Sequence, residues 1–399
     1  MKKWIIVLML LVMTCMMQAQ NRSYITRVFD YRPAPGQFVN TLPEYNAGEP
    51  RDSVLARCLR DIGPDIEVLI DYDDDDNPFV VDSIVKPVSA AFITLGSYGG
   101  YVTFGFDHPL VNVPGEYDLQ IFGNAFGSDS VAVAGGSSEP GIVMVGVDSD
   151  GDGVPGDGDQ WYELAGSEHS HAKTQKGFEI TYYRPDDDVD TPHVRWTCNS
   201  VDSLQEGYVH VNSFHTQPYW PQWIDGDKMT FMGTKLRCNA QDVNGNGSYF
   251  LQYFFDWGYV DNRTDYDWLG DYDQAVRNKM NLGFDLDWAV DATGKSVHLT
   301  HVDFIKVYSG LLQECGWLGE TSTEVKGAID LHPDAPMPED PVLPGDVTGD
   351  GKIDVSDVNM IINMMLGKAE QTVRADVNGD GKVDVSDVNQ VINLMLGKK

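Results

Sequence analysis

The sequence predicts a mainly β protein: a large domain of β-sandwich or jelly-roll type, then a small all-α module of two loop–helix repeats. Three observations carry that prediction. Short β-prone runs recur between turn residues over 21–330, with little helical periodicity. A unit of 22 residues, 346–367, returns as 376–397 with 17 of 22 positions identical. Between the two regions, residues 331–344 include five prolines and show no apolar period, the composition of an extended linker.

Composition narrows the function classes before any motif is read. The 399 residues carry 28 Lys and Arg against 61 Asp and Glu, a formal charge of −33. Nucleic acid and anionic membrane surfaces recruit cations, so both are excluded as partners. Hydrophobic residues at 42% and aromatics at 11% exclude a solvated acidic polymer. The acid excess has two readings, solubility or carboxylates gathered to hold divalent cations. At the start, Lys2 and Lys3 precede an apolar stretch over 4–13. That is half the roughly 20 residues of a membrane span, so 1–20 reads as an export signal cleaved after Ala19. Cys15 raises lipid anchoring, but Val12-Met13-Thr14 lacks the small residues that usually precede a lipidated cysteine. No later segment is apolar enough for a transmembrane span. Export permits disulfides, and Cys58, Cys198, Cys238 and Cys315 allow three pairings, or stay as buried thiols.

Within 21–330, a short helix is expected near 53–59, and strands over 91–95, 101–106, 119–122, 141–145, 179–183 and 302–308. Asp148, Asp150 and Asp152 place oxygen donors at positions 1, 3 and 5 of a loop. Gly153 follows at position 6, the Val154 carbonyl at 7 and Asp159 at 12, the spacing of a calcium loop without flanking helices. Asp242, Asn244, Asn246 and Gly247 form a weaker echo, with Tyr253 where a twelfth-position carboxylate is needed. The acidic run 73–76 lacks alternation and reads as a solvated loop. His169 and His171 stand two apart, either a pair on one strand face for a transition metal or an exposed loop. Catalytic signatures such as HExxH, GxSxG and the P-loop are absent. Glu139, Glu163, Asp285 and Asp287 sit among motif-like residues, as acids for catalysis or for structural hydrogen bonds. Tyr219, Trp220, Trp223 and Trp268 lie in aromatic segments beside turns, where an exposed ring offers a flat apolar face to a sugar and a buried one packs a core. Four Asp-Ser-aliphatic triplets, at 52–54, 82–84, 129–131 and 202–204, look like acceptors for O-glycosylation.

The C-terminal repeats carry the sharpest pattern. In the first loop Asp346, Thr348, Asp350, Asp354 and Asp357 occupy positions 1, 3, 5, 9 and 12, with the Lys352 carbonyl at 7. Asp376, Asn378, Asp380, Asp384, Asp387 and the Lys382 carbonyl do the same in the second. Gly351 and Gly381 stand sixth, where such a loop turns sharply. This is EF-hand spacing: hard oxygen donors at alternate positions wrap one Ca²⁺, so two ions are expected here and a third at Asp148. After each loop, Val358, Ile361, Ile362, Met365 and Leu366, and then Val388, Val391, Ile392, Met395 and Leu396, follow helical spacing. The two stripes are expected to pack on each other, with Gly367 and Gly397 as C-terminal stops.

Residues 345–399 resemble a type I dockerin, which lacks the helix before each loop and often carries Asp at position 12, as Asp357 and Asp387 do. The resemblance implies calcium-dependent docking to a cohesin-like module and a setting of extracellular polysaccharide breakdown. It also implies that positions 10 and 11, Val355-Ser356 and Val385-Ser386, contribute to partner recognition. Residues 21–330 resemble an uncharacterised family of exported cell-surface proteins of Bacteroidetes type. That likeness rests on Pro35-Gly36-Gln37-Phe38-Val39-Asn40, Leu95-Gly96-Ser97-Tyr98-Gly99-Gly100-Tyr101, Phe122-Gly123-Asn124-Ala125-Phe126, Glu139-Pro140-Gly141-Ile142-Val143 and Phe284-Asp285-Leu286-Asp287-Trp288-Ala289-Val290. The expectation is therefore a secreted or cell-surface protein in which a non-catalytic sandwich binds glycan or another nutrient. An O-glycosyl hydrolase and a purely structural surface component are the alternatives.

Overall fold

A computed structural model describes residues 23–72, 78–86, 91–130, 133–186, 192–200, 205–263, 283–337, 345–348, 353–369 and 372–396. The export signal with Cys15, the 73–76 run, Trp268, Asp350, Lys352, Gly397, the 202–204 triplet and the linker residues 338–344 lie outside them. No helix among the described residues is long and apolar enough to cross a membrane. The chain divides into two compact units, ending at Ala335 and beginning at Pro336.

The larger unit is mainly β and built as a sandwich. Six antiparallel strands form its main sheet, in the order Arg27–Arg32, Tyr101–Gly105, Phe304–Ser309, Gly141–Val147, Gln160–Leu164, Ala289–Val290. Alternation along these strands gives the sheet two apolar faces. Val102, Phe104, Val143, Val145, Ile305 and Val307 point into one core, which helix Arg51–Ile62 covers with Val54, Cys58 and Ile62 at four-residue spacing. Ile142 and Tyr308 point into a second core, shared with Phe178, Ile180, Tyr182 and Phe231. Phe178, Ile180 and Tyr182 come from strand Gln175–Tyr183 of a four-stranded sheet whose other members are Val194–Cys198, Glu206–Val209 and Lys228–Lys235. A further four-stranded sheet joins Ala240–Asp242, Phe250–Tyr253, Val133–Ser137 and Phe126–Ser130. The strands expected over 101–106, 141–145, 179–183 and 302–308 fall on these elements, whereas 91–95 and 119–122 supply strands Ile93–Thr94 and Leu119–Phe122 of two-stranded sheets; the expected helix near 53–59 is longer than its sequence signal.

The motif Gly96-Ser97-Tyr98-Gly99-Gly100 is a wedge between the sheets. Gly99 has φ +90° and donates its N–H to the Ser309 carbonyl at 2.9 Å. A Cβ there would stand 2.4 Å from Cβ of Phe231 on the facing sheet. Tyr182 Oη donates to the Tyr98 carbonyl at 2.9 Å, so the wedge is tied to both layers. Cys58 and Cys315 are buried free thiols and Cys238 is an exposed one, so the structure realises the thiol alternative at these positions. Leu331 to Ala335, assigned to the linker by sequence, are held by the large unit. Leu331 N–H donates to the Asp118 carbonyl at 2.9 Å, and His332 Nε2 donates to the Tyr117 carbonyl at 3.0 Å.

In the smaller unit, helices Val355–Met365 and Val385–Met395 bury Ile361, Met364, Val388 and Val391 with Val347 and Ala375. The five-residue stripes do not pack whole, as the sequence led us to expect. Ile362, Met365 and Leu366 are exposed, as are Ile392, Met395 and Leu396. Each helix covers only the column that faces its partner and the short segments leading into the loops; no described element of this unit covers the second column.

Replacing Gly99 by Ala combines an unfavourable φ with a clash against Phe231. We expect a loss of about 2 kcal/mol or more in chemical denaturation of the full chain, and a smaller loss of about 1 kcal/mol at Gly115→Ala, which shares the left-handed φ (+80°) but meets no neighbour.

Candidate calcium loops and a buried carboxylate network

The second C-terminal loop is described throughout and shows how the repeat is built. Gly381 at position 6 has φ +82°, a conformation that glycine adopts without strain. Its N–H donates to Asp376 Oδ2 at 2.7 Å, and the N–H of Asp380 donates to Asp376 Oδ1 at 3.0 Å. The twelfth-position carboxylate of Asp387 is fully buried. Its Oδ1 accepts from Asn378 N–H at 3.1 Å and its Oδ2 from Asp384 N–H at 2.9 Å, closing the loop on itself. Asp384 caps the helix by accepting from Ser386 N–H at 2.7 Å, and with Asp387 completes a capping box. Positions 9 and 12 therefore serve the loop and the helix start together.

The first loop repeats this closure where it is described. Asp357, fully buried, accepts from Val347 and Thr348 N–H at 2.9 Å each and from Asp354 N–H at 2.8 Å. Burial works against the Asp357 charge, but these donors outweigh it and hold the carboxyl below its ordinary range. Every side-chain donor at positions 1, 3, 5, 9 and 12 of the second loop is an oxygen, the set that a hard cation such as Ca²⁺ takes.

The Asp148 loop has the same construction without helices, joining strands Gly141–Val147 and Gln160–Leu164 of the main sheet. Gly153 has φ +73° and donates to Asp148 Oδ2 at 2.9 Å, as Gly381 does to Asp376. Asp159 accepts from the N–H of position 9, Gly156, at 2.6 Å, and from Ser149 N–H at 3.1 Å. Carboxylate oxygens of Asp148, Asp150 and Asp152 lie within 4.8 Å of one another. The Asp242 echo turns alike, with Gly247 N–H donating to Asp242 Oδ2 at 2.6 Å, but has no acid to close it.

The other expectations fare differently. Tyr219 and Trp220 are 1% and 3% exposed, so their rings belong to the second core and present no face to a sugar. Trp223 is half-buried and stacks on Tyr31 at 5.8 Å. His169 lies in a turn, with Nδ1 held 2.8 Å from Glu163 Oε1, and His171 is exposed, so no strand face pairs them. Asp287 takes a structural bond from Asn112 Nδ2 at 2.9 Å, and Asp285 caps a short 3-10 turn.

Glu139 belongs to a network that sequence reading missed. Carboxylate oxygens of Glu139, Asp261 and Glu324 lie within 4.8 Å of one another in the interior. Asp261 has φ +56°, the one positive φ at a non-glycine position among the described residues. Its Oδ1 accepts from Asn124 and Ala125 N–H at 2.7 Å each, and its Oδ2 from Glu324 N–H at 2.9 Å. Burial, then the neighbouring acids, push Glu324 well up; burial and Asp261 push Glu139 up as well. Nearby Glu320 is raised to about 8, by burial first. No spacing rule connects these positions; the only sequence signals are the Gly-Asn-Ala-Phe and Glu-Pro-Gly motifs, whose backbone and side chain meet here.

Residues 344–396 match the sequence model of the type I dockerin domain. Dockerin domains bind Ca²⁺ and assemble with cohesin modules, and the proteins that carry them are typically extracellular or at the cell surface. No curated protein matches the chain.

The raised carboxyls set a pH dependence. The folded state keeps protons that the unfolded chain releases above about pH 4.5, so the contribution is fully present below that pH. It is lost as pH rises through the raised values. We expect the melting temperature of the full chain to fall between pH 5.5 and 8.5, and to fall less in Glu324→Gln; an equal slope in both removes the network as the cause.

Proposed function

We propose that this chain is an exported extracellular or cell-surface protein. Its C-terminal module would hold two Ca²⁺ and plug into a cohesin-like partner, and its non-catalytic sandwich would bind extracellular polysaccharide. Asp346, Thr348, Asp350, Asp354 and Asp357 hold one ion with the Lys352 carbonyl. Asp376, Asn378, Asp380, Asp384 and Asp387 hold the other with the Lys382 carbonyl. Asp148, Asp150, Asp152 and Asp159 with the Val154 carbonyl form a third calcium site, supported by its shared closure at positions 1, 6, 9 and 12.

The observation that carries docking is the doubled apolar face. Val355 and Val385 are 61% and 60% exposed, and Leu366 and Leu396 are 62% and 63% exposed. Ser356 and Ser386 are exposed beside the valines. Apolar side chains left open on both repeats of so small a unit fit a surface that is covered in assembly. Because the two repeats match, either face can engage one partner. Calcium supports docking by joining the carboxylates of each loop, whose mutual repulsion otherwise opposes the helix starts at Asp354 and Asp384.

Calorimetric titration of the calcium-stripped full chain should show three sites, with one lost in Asp387→Ala and a different one in Asp148→Ala. Binding to a type I cohesin should vanish with chelator and in the double variant Val355→Asp, Val385→Asp. Either single variant should stay within about twofold, the statistical loss of one of two equal faces. Retained binding in chelator, or full loss in one single variant, rejects the doubled calcium-dependent face.

A further inference from the structure

A cleft of about 540 Å³ opens in the large unit beside strand Phe250–Tyr253. Its walls include Phe126, Tyr249 and Trp317, which are 65%, 49% and 51% exposed, an unusual gathering of open aromatic rings. Trp317 sits on the short turn Gly316–Leu318, which is locked from both sides. A Cβ on Gly316 would stand 2.4 Å from the Phe250 ring, and one on Gly319 would stand 2.6 Å from the Gln37 amide. Trp317 Nε1 donates to the Ser248 carbonyl at 3.4 Å, and Cys315 N–H to the Gly319 carbonyl at 2.7 Å. The ring is therefore held in place before any ligand arrives.

The lining also includes Gln37, Glu139, Gln252 and Glu320. Glu320 is 5% exposed; its Oε1 accepts from Gln37 N–H at 2.6 Å, and its Oε2 has no hydrogen-bond partner among the described residues. A buried polar atom left without a partner is rare in a finished core and common where a ligand completes the set. Gln252 Nε2 reaches Thr321 Oγ1 at 3.2 Å and Glu139 Oε1 at 3.4 Å, loose contacts that a hydroxyl can share. Among the described residues no lysine or arginine lines the cleft, His215 is its one basic side chain, and the acidic chain repels an anionic sugar.

We propose that this cleft is the glycan site of the large unit, taking a neutral oligosaccharide whose ring face lies on Trp317 and whose hydroxyls reach Gln252 and Glu320. The assignment rests on the polysaccharide-binding reading above and gives it a location and a ligand class. Burial keeps the carboxyl of Glu320 protonated near neutral pH, and a neutral carboxyl both donates to and accepts from a hydroxyl. Its volume lies within the range of small-ligand sites.

The test uses the full chain, with neutral gluco-, xylo- and manno-hexaoses and a galacturonate hexamer as probes in titration calorimetry and reducing-end assays. At least one neutral hexaose should bind, and the galacturonate should not. Trp317→Ala and Tyr249→Ala should each weaken binding about tenfold or more, with melting temperature unchanged. Met232→Ala, on the Lys228–Lys235 strand and outside the cleft lining, should leave it unchanged. Binding by the parent chain that survives both aromatic variants leaves the polysaccharide reading standing and overturns the cleft. No binding of any neutral hexaose overturns both. Tighter binding of the galacturonate overturns the neutral class, and release of reducing ends overturns the non-catalytic assignment.

Discussion

A carboxylate withdrawn from water must be met by donors, and both units of this protein are organised around that constraint. In the small unit, Asp357 and Asp387 are fully buried and accept backbone N–H groups from the start of the loop and the start of the helix. In the large unit, Asp261 accepts three backbone N–H groups from two separate segments, and Glu324 and Glu139 crowd against it. Each such acid fixes the backbone around it, because leaving those donors or that charge unmet would cost more than the order imposed.

The two solutions differ in where the charge goes. The C-terminal acids lie at the spacing of a cation loop, and backbone donors keep Asp357 ionised. The interior acids of the large unit are driven toward the protonated form by burial and by one another. The first arrangement is suited to hold a cation, and the second to tie motifs together. Pro-Gly-Gln reaches Glu320, Gly-Asn-Ala-Phe reaches Asp261, and Glu-Pro-Gly supplies Glu139. Three of the five motifs of the large unit thus converge on neighbouring acids beside the aromatic cleft.

The loops show how little of their closure depends on its surroundings. Gly153 between two strands and Gly381 before a helix adopt the same left-handed conformation and donate to the first aspartate of their loops. Asp159 and Asp387 both close on the N–H of position 9. These relations run over a dozen consecutive residues, so spacing alone makes them legible. The same locality explains why the strands over 101–106, 119–122 and 141–145 were readable, since alternation and turn residues are properties of short segments. Aromatic residues are the contrary case. Tyr219 and Trp220 read like a sugar platform and are buried, whereas Trp317 and Phe126, with no such signal, stand open. Exposure depends on what packs above a residue, and a segment does not encode its cover.

Spacing and period along the chain suffice for the repeated loops with their oxygen donors, the helix after each and the β character of the large unit. All of these are properties of short segments. Packing settled that Glu139, Asp261 and Glu324 meet, that three of the five residues in each helical stripe stay exposed, and that Phe126 and Gln252 line one cleft with Trp317 and Glu320. The two gatherings in the large unit join residues tens to hundreds of positions apart, which only the assembled sheets bring together, and what covers a helix is not written in its own segment.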